Sequence, residues 1–193
     1  MTHEAKDGIV TWWRALHPTD NGERGDRAGR AELRRAATLM DALVLPQTQW
    51  LLQATRKTGL SKSFDDGVIL LAMVLAHVSP KTGAISFTQA LGQTQDGKRP
   101  ADGSRQRLSA LRFGALMSAM SRDDLDGKAR ALRRAVIILK DTPFDVGRFI
   151  ADMLVFNDKT LRNWTYEYWQ TFRNAGDDST VTSPSTVSQI TSL

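Results

Sequence analysis

Apolar residues recur at helical spacing along most of this chain. Ile9, Trp12, Trp13 and Leu16 mark a first helix over residues 5–16, closed by Pro18 and a loop through Gly25. Adjacent tryptophans point about 100° apart on a helix, so one enters the core and the other seals a helix or subunit contact. Asp26 reads as the N-cap of a second helix, which continues through Ala36, Ala37, Met40 and Leu43 as its buried face until Pro46 interrupts it. Residues 47–57 form a further helix. Asp65 or Asp66 then precedes Val68 to Val78, a segment nearly free of charge on every side and therefore the expected central core helix. A short helix around Phe87 to Leu91 leads into a polar, glycine-bearing loop over residues 92–103.

From Ser104 the pattern resumes. Leu108, Leu111, Ala115 and Met117 or Ala119 give an inward face to a helix carrying Arg105, Arg107 and Arg112. Ser121 with Asp124 resembles a capping pair, followed by a stripe of Leu125, Ala129, Leu132, Val136 and Leu139. Residues 144–156 and 158–173 supply two more helices, the last aligning Leu161, Trp164, Tyr168 and Phe172, with Tyr166 and Trp169 off that face. The expected fold is all-α, and 193 residues fit one compact domain or two small packed ones. Residues 174–193 are polar and rich in serine and threonine, and the expectation there is a disordered tail. No internal repeat stands out.

Charge sharpens this picture because it is clustered. The net charge of +5, from 26 basic and 21 acidic residues, is modest. Yet Arg24, Arg27, Arg30, Arg34 and Arg35 stand against only Glu23, Asp26 and Glu32, and the 27, 30, 34 spacing stacks three guanidinium groups on one helix face. Forked, permanently charged donors suit phosphate oxygens. Lys98, Arg99, Arg105, Arg107 and Arg112 face Asp102 alone in a second basic stretch, and Lys128, Arg130, Arg133 and Arg134 form a third. Several basic helices or loops lining a phosphate-facing track is the reading that joins them, with Arg27, Arg30, Arg34 and Arg107 foremost. An ordinary surface ion pair is the competing account for any one of them, and is preferred for Arg130.

Other chemistry is missing. Without cysteine there is no disulfide, thiolate catalyst or cysteine zinc site, and a reducing cytoplasm is permitted. His3, His17 and His77 form no ligand pair, and His77 reads as a satisfied packing residue. Asp123, Asp124 and Asp126 read as helix-start carboxylates rather than a metal cluster. No GxxxxGK, strand-linked GxGxxG or GxSxG motif occurs, so no catalytic residue, metal or cofactor is assigned. Residues 1–15 lack a signal-peptide core, and the run from Val68 to Ala76 is too short to cross a bilayer, so a soluble, cytoplasmic product without a membrane partner is expected.

Over approximately residues 8–173 the chain resembles the CasB family, the small subunit of the type I-E CRISPR surveillance complex Cascade. The resemblance rests on an ordered set: Trp12-Trp13-x-x-Leu16, Gly25-Asp26-Arg27-Ala28 followed by Arg34-Arg35, and Arg112-Phe113-x-x-Leu116-Met117-x-Ala119. Leu132-Arg133-Arg134, Phe144-Asp145 and Trp164 with Tyr168 complete it. It implies an all-helical fold of two small packed helical bundles, here residues 1–97 and 98–173, and a non-catalytic, structural and nucleic-acid-binding subunit that stabilises opened target DNA and its displaced strand. The implied partners are the other Cascade subunits, a second copy of itself, CRISPR RNA and target DNA. The implied basic surface comprises Arg27, Arg30, Arg34, Arg35, Lys98, Arg99, Arg105, Arg107, Arg112, Arg133 and Arg134, with Lys98 and Arg99 resting on charge alone. Val146 and Phe156 stand where family-like sequences tend to carry tryptophan. The alternatives are a helical DNA-binding regulator and a protein-only scaffold subunit.

Overall fold

In a computed structural model of the chain, the residues described are 3–18, 24–98, 100 and 105–169. Among them run ten α-helices: α1 His3–Ala15, α2 Arg27–Arg35, α3 Leu39–Leu43, α4 Pro46–Lys57, α5 Asp65–Leu75, α6 Phe87–Gly92, α7 Ala110–Met120, α8 Leu125–Ile138, α9 Val146–Leu154 and α10 Asp158–Trp169. Isolated bridge pairs, Thr82 with Phe144 and Thr94 with Gln106, are the only extended pairings among these residues. The fold is all-α, as expected. None of the described helices is long and apolar enough to cross a membrane.

Helix α5 is the centre. Every residue from Val68 to Ala76 is buried, and the helix is covered by α2, α3, α4, α8 and α9. An all-apolar helix is stable only when enclosed in this way. Around it, α1 packs on α4 and α9, α7 on α8, and α6 on α10. Trp13 is fully enclosed, while the half-buried Trp12 donates its indole N–H to the Gln47 carbonyl at 3.0 Å, so the two tryptophans divide core and seal between them. Gly92 ends α6 against α10 so closely that a Cβ there would lie 2.1 Å from the Tyr168 carbonyl oxygen. The aromatic cluster of Phe87, Phe144, Phe149 and Trp164 fills the space between α6, α9 and α10.

Three expectations about elements are corrected. The second helix does not run on to Leu43. It stops at Arg35, and Thr38 opens α3 with a reciprocal cap: the Thr38 hydroxyl accepts from the Asp41 N–H at 3.1 Å, and the Asp41 carboxylate accepts from the Thr38 N–H at 3.0 Å. Met40 is consequently exposed and Ala37 lies outside the core, although Ala36 is buried. Helix α7 begins only at Ala110, because the Arg107 and Leu108 N–H groups bond across to the Gln93 and Leu91 carbonyls at 2.8 and 3.1 Å. Its buried stripe is Phe113, Leu116 and Met120, leaving Leu111 86% exposed instead of inward. Finally, Asp124 itself caps α8 by accepting from the Gly127 N–H at 2.8 Å, whereas Ser121 closes α7. The expected last turn with Phe172, and the tail from residue 174, lie outside the described residues.

Candidate nucleic-acid interface

Asp26 caps α2 through the Gly29 N–H at 2.8 Å, and this sets the register of its arginines. Arg27, Arg34 and Arg35 are exposed and make no hydrogen bond or ion pair with another described residue. Arg30 is different. It is half-buried, and its Nε–H donates at 3.1 Å to the carbonyl of Ala76, the residue that caps the C-terminus of α5. Arg133, on α8, likewise donates at 3.2 Å to the Leu33 carbonyl in the last turn of α2. Both guanidinium groups therefore sit at the negative end of a helix dipole, satisfying carbonyls that the helix itself cannot pair.

These contacts bring the α2 arginines and Arg133 around the end of α5. His77, immediately after it, has both ring nitrogens buried without a hydrogen-bond partner, so it is packed but not satisfied. Burial and then the charges of Arg133, Arg34 and Arg30 push its pKa down to about 4. His17 bridges Trp13 and Val78, its ring nitrogens each 3.0 Å from their carbonyls. Burial is again the main cause of its lowered pKa, with Arg30 and Arg34 adding to it. The site is a cationic cluster beside two histidines of lowered pKa.

A second group gathers elsewhere. Arg107 does not share a helix with Arg112; it lies in the extended stretch before α7 and holds the preceding turn, donating to the carbonyls of Ala90 at 3.2 Å and Gln95 at 3.0 Å. Arg105, in the same stretch, is exposed. Lys98 forms an exposed ion pair with Asp96 at 3.4 Å, and Arg99 lies outside the described residues. Arg112 and Arg134 are exposed on α7 and α8 and line a groove of about 630 Å³ between these helices. Arg130 joins them there. Sequence reasoning prefers an ion pair for Arg130, and one is present with Asp124 at 3.7 Å. The groove itself escapes that reasoning, although Leu111, Ala115 and Ala119 at four-residue spacing signal an apolar strip on one face. No group of three or more His, Cys, Asp or Glu suited to a metal ion occurs among the described residues.

The chain thus presents an all-helical, basic scaffold with separate arginine clusters. Residues 29–169 match the family model of the CRISPR-associated protein Cse2, and the chain belongs to this family, that of the CasB small subunit of type I-E Cascade. Its fold is similar to that of CasB from Thermus thermophilus, with 19% identity and a TM-score of 0.61 over 88% of this chain and 99% of that one. A second solved structure, of a CRISPR-associated protein of the Cse2 family from Thermus thermophilus, is similar at 19% identity and a TM-score of 0.60, covering 86% of this chain and 97% of the other. No curated protein matches the sequence. The matched span includes α2 from Gly29 onward and every arginine of the second and third basic stretches.

Proposed function

We propose that this Cascade subunit is non-catalytic and acts in the cytoplasm by holding nucleic acid against its basic surface. Together with a second copy of itself and the other subunits, it stabilises target DNA opened by CRISPR RNA, and its displaced strand, through phosphate contacts that do not read sequence. The observation that carries the reading is the trio Arg27, Arg34 and Arg35: exposed guanidinium groups without a partner among the described residues, on a capped helix beside Arg133. Lys98, Arg105 and Arg107, together with Arg99, would extend the contact.

Replacing Arg27, Arg34 and Arg35 by alanine, while keeping Arg30 and Arg133 in their structural bonds, separates binding from folding. The assembled complex should still incorporate the variant but hold DNA of unrelated sequences less tightly. Each lost phosphate contact removes about 0.7–0.9 from the slope of log affinity against log salt, so the triple variant should lose roughly 2–3. An unchanged affinity and slope in a fully incorporated variant would refute the role of this helix. Failure to incorporate would favour the protein-only scaffold, and a sequence-specific footprint of the free chain on duplex DNA would favour a regulator.

A further inference from the structure

The groove between α7 and α8 differs in kind from the α2 cluster. Its floor is made of small and aliphatic side chains, among them Ala115 and Ala119 from α7 and Ala131 and Ile138 from α8. Residues four apart stack on one helix face, so Ala115 and Ala119, facing Ala131 and Ala135, leave a trough along the helix contact. Leu111 continues the α7 strip at 86% exposure, and Ile137 lines the groove at 52% exposure. Around this apolar floor stand Arg112, Arg130 and Arg134. Arg112 and Arg134 have no counter-ion among the described residues, and Arg130 has only the exposed Asp124 at 3.7 Å.

We infer that this groove docks an amphipathic segment of a neighbouring protein subunit, with apolar side chains on the alanine floor and Asp or Glu side chains against the arginines. The inference rests on membership of the assembly proposed above. It also withdraws Arg112 and Arg134 from the phosphate track. Single-stranded nucleic acid is gripped by aromatic stacking platforms together with cations, and among the described residues no aromatic side chain lines this groove. Phosphates gain nothing from an alkyl floor, whereas an amphipathic helix buries its apolar face in one. A second copy seated groove to groove would set arginines against arginines, because a two-fold contact repeats the same patch on both sides. Charge thus selects an acidic partner and disfavours a basic one.

The test uses the complex reconstituted from purified subunits and guide RNA, with the photoreactive residue p-benzoylphenylalanine replacing Ile137, a partly exposed side chain. Irradiation and mass spectrometry should map a crosslink to one segment of another protein subunit, carrying apolar residues at helical spacing with flanking Asp or Glu. Reversing the rim with Arg112→Glu and Arg134→Glu should cut the yield at least about fivefold, since rim charges govern encounter. Lysine at the acidic positions of the mapped segment should restore it. Ala131→Glu, which leaves the rim intact and puts a carboxylate in the floor, should also lower the yield; helicity is checked by circular dichroism for each variant. A crosslink to nucleic acid, to a second copy, to a segment without acidic residues, or to nothing in a complex that contains the chain would overturn the inference alone. Exclusion of the unmodified chain from the complex would overturn both this inference and the assembly role.

Discussion

Arg27, Arg34 and Arg35 face solvent without a partner among the described residues, while Arg30 and Arg133 each lend a donor to a helix end. The difference lies in which carbonyls the fold brings within reach, since the residue type is the same. The same clustering acts on His77, faced by Arg133, Arg34 and Arg30, whose folded pKa of about 4 lies below the ordinary value of 6.5. The unfolded chain therefore binds a proton at this residue as pH falls through 6.5, and the folded chain does so only near 4. Stability from keeping His77 neutral is fully present above pH 6.5 and is lost on acidification towards pH 4. Because the side chain is only partly enclosed, the effect is on the order of 1–2 kcal/mol. His17 contributes in the same direction, its pKa also being lowered. His77→Leu removes two unpaired buried nitrogens, so it should be neutral or mildly stabilising at pH 7.5 and should narrow the loss of thermal stability between pH 7.5 and 4.5. An identical loss in the two proteins would show that His77 does not carry this linkage.

At the level of elements, α6, α9 and α10 are tied by a buried carboxylate. Glu167 is 8% exposed and accepts from the Ser86 hydroxyl at 2.6 Å and the Thr88 hydroxyl at 2.8 Å, while pairing with Arg148. Glu167→Ala strands two buried hydroxyl donors and a guanidinium, and should cost about 2–4 kcal/mol in chemical unfolding. Arg148→Ala removes a half-exposed partner and leaves both hydroxyl bonds in place, so it should cost less; the reverse order would place the tie in the ion pair. Nothing in the local sequence around Glu167 announces this, because its partners lie 79 and 81 residues away. Helix α5 is legible because a run without charge on any side has one stable environment, and α2 because Asp26 caps it by a local bond. Periodicity misplaces the start of α7: the bonds from Arg107 and Leu108 to Gln93 and Leu91 replace the turn it assigns there. Of the site, the exposed arginines are legible as charge. Their division into solvent-facing, helix-capping and groove-lining groups is not, since it depends on which helices meet.

Across the whole molecule, the boundary proposed between residues 97 and 98 is crossed by the most important packing. Helix α5 belongs to the first part yet is covered by α8 and α9 from the second, α1 packs on α9, and α6 packs on α10. The two bundles we propose are therefore packed through a shared core, and neither can enclose Val68 to Ala76 without the other. Cutting there would strip α8 and α9 from α5, whose side chains from Val68 to Ala76 are all buried in the intact chain. Burial of a single such side chain is worth about 1.5–3 kcal/mol, so losing several removes much of the roughly 5–15 kcal/mol that a small domain holds in reserve. The chain should unfold in one transition, with calorimetric and van't Hoff enthalpies in agreement. Residues 1–97 and 98–193 expressed separately should show little native helicity and should regain it on mixing. This coupling would also keep the α2 cluster at a fixed separation from the α7 and α8 groove, as the two proposed contacts require. Two resolved calorimetric transitions, or either fragment retaining full helicity alone, would show instead that the bundles fold independently and that their relative placement is free to change on assembly.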